Sequence, residues 1–279
     1  MRDLPCYLEY GDKNGIPFFY FHGLPGSRVE GVLLDAAASK LNIRVIAVER
    51  PGYGRTPPQG HRSLSDWTKQ ISALADQLGL NRFGVIGISG GGPYALACAH
   101  YLPQRLNKVG VVCGLGPLTT SNLLPTMNWY ARHVFGLAQK DGWFLLKLYG
   151  FILTQVANLT PHLLLWLIAT IHGGADKRVL QQPAVITALT ANLRAAFAQG
   201  DAGVLSDLRV YAQPWGFDLG KITLPVQFWH GDRDPIVPLR HTQYAHAQIK
   251  TSTLNVIPGE GHFSLPIEHA ESILRQLAL

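Results

Sequence analysis

The chain has few cysteines, few charged residues and no long apolar run, and each shortage excludes a class of protein. Its three cysteines, Cys6, Cys98 and Cys113, do not make a disulfide framework, and no CxxC pair or His/Cys cluster predicts a metal site. Only 15% of the 279 residues are charged, and no basic run is longer than Lys177 and Arg178. The formal charge of +6 is therefore scattered, unlike the clustered patch of a nucleic-acid-binding surface, and we expect no nucleic-acid partner.

Targeting and membrane-spanning signals are also missing. The first residues lack the apolar core of a signal peptide, and residues 163–171 are densely apolar but too few to span a bilayer. We therefore expect a cytoplasmic protein in a reducing compartment, without a transmembrane segment, acting as a monomer or homodimer. Hydrophobic residues make up 47% of the chain, which predicts a large core rather than disorder.

The most informative stretch is a glycine-rich corner around Ser89. The apolar run 83–88 predicts a buried strand, the small residues 94–99 predict a helix, and Ser89 lies between them in a Gly-x-Ser-x-Gly pattern. A serine on so tight a turn has a strained backbone and an exposed hydroxyl, and glycine at positions 87 and 91 avoids a collision. The phosphate-binding spacings Gly-x-Gly-x-x-Gly and Gly-x-x-x-x-Gly-Lys-Ser/Thr do not occur at this turn. The short motif alone leaves both interpretations open, and the rest of the chain favours a nucleophile.

Strands and helices alternate on both sides of this corner. Segments 45–48 and 109–112 are apolar throughout rather than alternating, as is typical of strands buried on both faces of a parallel sheet. Ser63, with Asp66 three residues later, predicts the start of a helix through a capping box. The alternation over residues 17–113 predicts an α/β fold with a mostly parallel sheet covered by helices on both faces.

The alternation stops between about residues 115 and 220 and then resumes. No good strand occurs there, and the apolar spacing predicts helices near 125–138, 143–158, 163–172, 183–199 and 202–212. We therefore expect a helical cap at 116–220 inserted into a core of 1–115 and 221–279. Its apolar residues either line a substrate pocket or pack the cap onto the core, and the sequence does not separate the two.

A nucleophilic serine needs a base, and the base needs an orienting acid. In open parallel sheets such groups lie just after the carboxyl ends of strands, and Asp234 and His262 both do. The chain order Ser89, Asp234, His262 is the order found in one large group of hydrolases. Asp232 is the rival acid, since it lies closer to the strand end, although Gly231 before it indicates a turn.

Eleven histidines compete for the role of the base. His262 lies in a glycine-flanked loop after the last strand, whereas His230 ends a strand and is followed directly by the acidic turn. Outer helices predict surface positions for three histidines: His241, His246 and His269. Helical contexts or a loop before a helix hold three others: His61, His100 and His133. His262 is thus the expected base.

The oxyanion formed during acyl transfer needs preorganised donors. The Gly90 N–H follows the nucleophile directly, and the Leu24 N–H lies in the glycine-rich loop that begins at His22. His22 itself precedes the donor position, so we expect it to shape this loop by hydrogen bonding.

Five ordered segments resemble the α/β-hydrolase superfamily in its cap-bearing branch. They are His22-Gly-Leu-Pro-Gly-Ser-Arg28, Arg50-Pro-Gly-Tyr-Gly54, Gly87-Ile-Ser-Gly-Gly-Gly-Pro93, His230-Gly-Asp-Arg-Asp-Pro-Ile-Val-Pro238 and Gly259-Glu-Gly-His262. The resemblance implies a sheet of usually eight strands, of which this chain, starting late, lacks the first or keeps a vestige. It also implies a Ser89-His262-Asp234 triad, Leu24 and Gly90 as oxyanion donors, and neither cofactor nor metal.

Departures from the family's branches narrow the expected chemistry. Haloalkane dehalogenases and epoxide hydrolases carry aspartate at the elbow, and dienelactone hydrolases carry cysteine, so Ser89 excludes both. Proline iminopeptidases use cap carboxylates, often glutamates, and the predicted cap has no glutamate. We expect a serine hydrolase for small to medium apolar esters, with Trp129, Trp143 and Phe263 at the substrate. Carbon–carbon or thioester hydrolysis, or a receptor that kept the fold, remains an alternative.

Overall fold

A seven-stranded sheet forms the centre of the computed structural model, which describes residues 4–119 and 122–279. The strand order is β1-β3-β2-β4-β5-β6-β7; β1 is antiparallel to β3 and all other pairs are parallel. The strands are β1 (Tyr7–Gly11), β2 (Ile16–Phe21), β3 (Ile43–Val48), β4 (Phe83–Ile88), β5 (Leu106–Val112), β6 (Val226–Gly231) and β7 (Ser252–Ile257). The predicted mostly parallel sheet is confirmed, with seven strands rather than the usual eight.

Helices cover both faces of the sheet. They are α1 (Asp35–Lys40), α2 (Leu64–Gln77), α3 (Gly92–Tyr101), α10 (Arg240–Gln248), α11 (Ser264–Glu268) and α12 (Ala270–Ala278). Alternate side chains of β3 enter two apolar clusters: Ile46 packs in the cluster of α2 and α3, and Val45 in that of α1 and α12. Because β4 is buried along its whole length, its apolar run is explained by contacts on both faces.

The start of α2 is as predicted from its sequence. The Ser63 hydroxyl accepts the Asp66 N–H and the Asp66 carboxylate accepts the Ser63 N–H, which completes the capping box. Residues 28–40 form two short helical segments instead of one helix: a 3-10 segment, Arg28–Leu34, and the short α1. Gly31 lies so close to Tyr10 and Ala47 that a Cβ there would approach both within 3 Å, and this tight packing accompanies the narrower helix.

Six helices lie between β5 and β6 in the part of the chain that the structure describes. They are α4 (Trp129–Gln139), α5 (Trp143–Leu159), α6 (Pro161–His172), α7 (Gly174–Leu180), α8 (Pro183–Ala196) and α9 (Ala202–Ala212). The sequence predicted five of them and missed α7, which is short and begins at the second of two consecutive glycines, Gly173 and Gly174. Residues 1–3 and 120–121, within the predicted core and cap segments, lie outside the described residues.

The insertion leaves and re-enters the sheet at neighbouring strands, because β5 pairs directly with β6. Within the described residues no single helix is long and apolar enough to cross a membrane. Taken together, α5 and α6 have the length and composition of a membrane-spanning segment, but they meet at an angle of 107°.

Candidate active site

Ser89 lies at the sharp corner between β4 and α3, as its motif predicts. Its φ is +54°, in the left-handed region that non-glycine residues seldom adopt. A Cβ on Gly87 would lie 2.3 Å from the Gly91 carbonyl oxygen, and one on Gly91 would lie 2.0 Å from the Phe21 carbonyl oxygen. The two glycines of the motif are therefore required by close backbone contacts.

The structure brings Ser89, Asp234 and His262 together at the carboxyl ends of three parallel strands. The Ser89 Oγ lies 2.9 Å from His262 Nε2, and His262 Nδ1 lies 2.7 Å from Asp234 Oδ2. All three side chains are buried. These distances allow the His262 Nδ1–H to donate to Asp234 while Nε2 accepts the hydroxyl proton of Ser89.

Besides His262, three other groups contact the carboxylate of Asp234. Its Oδ1 accepts the N–H groups of Ile236 and Val237, each at 2.9 Å. The ring of His230 also approaches, with Nε2 lying 3.4 Å from Asp234 Oδ2 and 2.8 Å from the Val237 carbonyl oxygen. Sequence reasoning set His230 aside, although its position four residues before Asp234 was a signal that both belong to one turn.

The electrostatics of this pair follow from burial and charge. Burial lowers the pKa of His262, but the adjacent Asp234 carboxylate raises it more, so the net shift is upward from the usual 6.5. Burial raises the pKa of Asp234, but His262 and the hydrogen bond from His230 lower it by more than burial raises it. The net shift is downward, so the carboxyl stays ionised at neutral pH.

Two other titratable residues that the sequence brought into consideration take different places. The rival acid Asp232 accepts the Gly259 N–H at 2.7 Å and belongs to a separate turn. His241, expected on the surface, is fully buried, and its Nδ1 accepts the Gly116 N–H at 3.2 Å. The expectation for His241 was wrong because the first turn of α10 faces the interior rather than solvent.

The expected oxyanion donors are close neighbours. A Cβ on Gly90 would lie 3.4 Å from Leu24 N. Within residues 4–119 and 122–279, the Leu24 N–H donates to no other residue. The Gly90 N–H lies in the first turn of the 3-10 segment Ser89–Gly91, where backbone N–H groups have no partner within the helix. Two backbone donors without an internal acceptor beside a serine hydroxyl are what an oxyanion hole requires.

The loop that carries Leu24 is held on one side by a buried glutamate. Glu30 Oε1 accepts the Gly23 N–H at 2.9 Å and the Tyr20 hydroxyl at 2.6 Å, and Oε2 accepts the Asn192 side-chain amide at 3.1 Å. Burial raises the pKa of Glu30 above its usual value. Asn192 belongs to α8 and also accepts the N–H and hydroxyl of Ser27, so the insertion contributes directly to the shape of this loop.

Arg50 holds the same loop from the other side. Its guanidinium donates to the carbonyl oxygens of His22 at 2.5 Å and Gly23 at 2.8 Å, and it pairs with Asp207 at 2.7 Å. His22 contributes as predicted, because its Nε2 accepts the Arg50 N–H at 3.3 Å. Both members of the Arg50–Asp207 pair are fully buried.

Asp207, on α9, is the centre of a buried polar cluster. Besides Arg50 it binds Arg62 and accepts the hydroxyls of Tyr53 and Tyr94. Burial alone would raise the pKa of Asp207, but the two guanidinium groups lower it well below its usual value. No local sequence pattern indicates that an aspartate in the insertion is shared by two arginines of the core.

Asp176 is a second carboxylate that sequence reasoning missed. Its oxygens accept three successive backbone N–H groups, those of His262 at 3.0 Å and of Phe263 and Ser264 at 2.9 Å. Asp176 lies on α7, the unpredicted helix, so no local pattern linked it to the histidine loop. It fixes the backbone from which the His262 side chain projects.

One group of ligand-type side chains accompanies the site. The possible ligand atoms of Cys113, His230 and Asp234 lie within 4.8 Å of one another. Both ring nitrogens of His230 already have partners, Thr242 Oγ1 at 2.7 Å and the Val237 carbonyl oxygen. The arrangement is thus explained by hydrogen bonds that orient Asp234.

A cavity of about 470 Å³ opens from Ser89 between the sheet and the insertion. Its walls are mostly apolar, and the inner faces of α4, α5 and α6 supply Val134, Leu153, Leu164 and Ile168. Phe263, one of the residues expected at the substrate, lies in the wall.

Trp129 and Trp143 are not among the residues that line this cavity, so their expected substrate contacts are corrected. Trp129 is 74% exposed at the first turn of α4, and the Trp143 ring packs under the Arg209 guanidinium at 4.3 Å. Trp129 is therefore turned to solvent, whereas Trp143 is half-buried and packs against the core and Arg209 of α9. Aromatic composition alone did not indicate either position.

Comparison with known proteins agrees with this geometry. The family model described as the alpha/beta hydrolase fold matches residues 16–268. An uncharacterized hydrolase of Bacillus subtilis is 25% identical over 91% of this chain and 88% of its own length. A bifunctional esterase/perhydrolase of Acinetobacter calcoaceticus is 25% identical over 97% of this chain and 93% of its own.

A solved structure extends the likeness to three dimensions. An alpha/beta hydrolase fold protein from Nakamurella multipartita superposes with a TM-score of 0.71 at 23% identity, covering 98% of this chain and 93% of its own. At that identity the superposition supports the fold, and the family match carries the assignment. The chain belongs to the α/β-hydrolase family and is a hydrolase.

Proposed function

We propose that the protein hydrolyses carboxylic esters with small to medium apolar groups, using Ser89 as nucleophile, His262 as base and Asp234 as orienting acid. The observation that carries the proposal is the continuous hydrogen-bonded chain from Ser89 through His262 to Asp234, which opens on a mostly apolar cavity. Aliphatic walls favour an apolar acyl or alcohol group over a charged one.

The mechanism follows from the positions of the protons. Asp234 accepts the Nδ1–H of His262, which leaves Nε2 free to take the Ser89 proton as Oγ attacks the ester carbonyl carbon. The negative charge on the carbonyl oxygen is met by the N–H groups of Leu24 and Gly90. His262 then protonates the leaving alcohol, and the same residue later activates the water that hydrolyses the acyl-enzyme.

The substrate side of the site is assigned to the insertion. We propose that residues 116–220 act as a cap on a core of 1–115 and 221–279. The lining residues on α4, α5, α6 and α8 support this division, since they close the cavity opposite Ser89. The esterase/perhydrolase relative supports ester chemistry on such a scaffold.

The first test is labelling with a fluorophosphonate probe. We expect the wild type and Ser39→Ala, which changes an exposed serine on α1, to be labelled equally, and Ser89→Ala to be unlabelled. Ester turnover should fall by about 10⁴-fold or more in Ser89→Ala, because the nucleophile is gone while oxyanion donors and binding groups remain. The melting temperature should be nearly unchanged. Persistent turnover in Ser89→Ala would contradict the nucleophile assignment.

A p-nitrophenyl ester series of increasing acyl length then measures the cavity. We expect turnover to pass through an optimum at small to medium chain length, because the cavity has a fixed volume. A labelled protein that hydrolyses thioesters or cleaves carbon–carbon bonds far faster than any ester would overturn the ester assignment and keep the triad. A folded wild type that is neither labelled nor active would favour ligand binding without turnover.

A further inference from the structure

The outer surface of α5 and α6 is apolar, although both helices already bury another face. On α5, Leu146, Gly150, Thr154 and Ala157 face the protein. Ten large apolar side chains of the two helices are nevertheless exposed: Phe144, Leu145, Leu148, Phe151, Ile152, Leu159, Leu163, Trp166, Leu167 and Ile171. A helix that is apolar on every side is expected inside a core or in contact with lipid. These two helices are not inside the core.

The charges around this surface are few and mostly basic, and the nearby carboxylate of Asp201 lies against Gly150 on the inward face of α5. Residues 143–172 contain no Asp or Glu, and Lys147 is their one Lys or Arg. The neighbouring α4 and its following turn add Arg132 and Lys140 against Asp141 alone. Basic residues beside exposed aromatic and aliphatic side chains are typical of segments that bind anionic lipid surfaces.

We propose that α5 and α6 lie on a lipid bilayer that contains anionic lipids, with their exposed apolar faces in the interfacial layer. At 1.5 Å per residue they are about 25 Å and about 18 Å long, shorter than a spanning helix. Their angle of 107° prevents them from continuing as one straight span. The helix lengths and the angle between the helices both fit a pair that lies in the membrane surface and does not cross the bilayer.

A protein partner fits this surface less well. Protein interfaces carry about one hydrogen bond per 100–200 Å² and have a polar rim. The exposed polar side chains of the two helices are half as many as the large apolar ones: Lys147, Gln155, Asn158, His162 and Thr170. The Thr170 hydroxyl already donates to the Trp166 carbonyl oxygen. The other faces of α5 and α6 supply Leu153, Leu164 and Ile168 to the cavity. If α5 and α6 bind a bilayer, only the thickness of these helices separates the cavity from the lipid, which is a source of apolar molecules.

The test is flotation of the full chain with two kinds of vesicle, phosphatidylcholine alone and phosphatidylcholine mixed with phosphatidylglycerol. We expect the wild type to float with the mixed vesicles and more weakly with phosphatidylcholine alone. Phe144→Glu combined with Phe151→Glu should reduce the bound fraction about tenfold, because two apolar anchors become anionic. Leu279→Glu is the matched control, since Leu279 is 89% exposed and Phe144 is 82% exposed, and it should float like the wild type.

Two further measurements check that the substitutions leave the active site and the fold intact. Turnover of p-nitrophenyl acetate should be equal in all variants, because neither Phe144 nor Phe151 lines the cavity. If the circular dichroism of the double variant differs from that of the wild type, Ile171→Glu replaces it in the flotation test. Failure of the wild type to float with either vesicle, or flotation that the substitutions leave unaffected, would overturn the proposal.

A second copy of the chain is the competing occupant. A dimer in sedimentation velocity that the double variant dissociates, without flotation of the wild type, would overturn the lipid assignment and give the surface to that copy. Flotation does not depend on ester turnover, so this test is independent of the proposed function.

Discussion

The two halves of the insertion meet the active site in different ways. The later half, α7–α9, reaches it through buried polar groups: Asp176 binds the backbone of the His262 loop, Asn192 binds Ser27 and Glu30, and Asp207 binds Arg50. The earlier half, α4–α6, faces it mainly with aliphatic side chains and turns other apolar side chains outward.

This contrast separates two tasks within the insertion. Hydrogen bonds and ion pairs are directional, so α7–α9 fix where the loop of Leu24 and the backbone of His262 lie. Apolar contact is non-directional and depends on volume, so α4–α6, together with the apolar side chains of α8 and α9 in the cavity wall, set which molecules fit. Substitutions of the buried polar groups in the later half should therefore change the rate of every substrate, and substitutions of the apolar wall residues should change the choice among substrates.

The largest expected effect is that of Asp207→Asn. Removing this charge leaves Arg50 and Arg62 buried without their shared anion, and the free energy of unfolding should fall by about 3–5 kcal/mol. Urea unfolding followed by tryptophan fluorescence measures it. Asp218→Asn, an exposed change of the same charge just beyond α9, should cost less than about 0.5 kcal/mol. Equal stabilities for the two variants would remove the distinction between the halves.

Asp176→Ala should come next. The N–H groups of His262, Phe263 and Ser264 lose their acceptor, and displacement of the His262 ring by about 1 Å should lower kcat about 10²-fold. KM should change little, because Asp176 does not line the cavity. Asp176→Asn retains an oxygen for part of this set and should be less affected. A variant with wild-type kcat would show that the loop holds its shape unaided.

The pH profile gives a third test. His262 must be neutral to accept the Ser89 proton, and its pKa is raised above 6.5 by Asp234, so kcat/KM should rise with pH and reach half its plateau above pH 6.5. Below this midpoint it should fall about tenfold per pH unit. Phe144→Glu, on the outer face of α5, should leave the midpoint unchanged. A midpoint below 6.5 would contradict the assignment of His262 as the titrating base.

The smallest expected effect belongs to the earlier half. Leu164→Ala shortens a side chain in the cavity wall and so enlarges the cavity. The ratio of long-chain to short-chain ester turnover should therefore rise about tenfold, which is the discrimination that one to two methylenes in an apolar pocket provide. Short-ester kcat should stay within about threefold. Leu167→Ala, an exposed position on the same helix, is the control and should leave the ratio unchanged. Equal ratios in both variants would mean that α6 does not determine selectivity.

Much of the core could be predicted from local sequence patterns. The uninterrupted apolar run of β4 indicates burial on both faces, the Ser63–Asp66 pair marks the start of α2, and the glycines around Ser89 indicate the tight corner. The sequence also predicted Asp234 and His262 as the groups that meet Ser89, because residues after parallel strands lie at one edge of the sheet.

The remaining features depend on contacts between distant segments. Asp176, Asn192 and Asp207 each have their partners in other elements, and nothing in their neighbouring residues indicates which backbone or arginine they will meet. The exposure of Trp129 and the packing of Trp143 against Arg209 are likewise set by how α4 and α5 pack. Amphipathic spacing predicts that a helix forms, but it does not tell a cavity wall from an outer face when both are apolar.

The direct pairing of β5 with β6 has a consequence for how the chain folds. These strands can join only after the residues between them, 113–225, have been closed into a loop. The entropy lost on closing a flexible loop grows with its length, by about 0.6 kcal/mol for each doubling, and sequence-distant pairing slows folding. Helices that form early within this segment shorten its effective length. The speed with which the sheet is completed is therefore linked to the local helical propensity of the insertion.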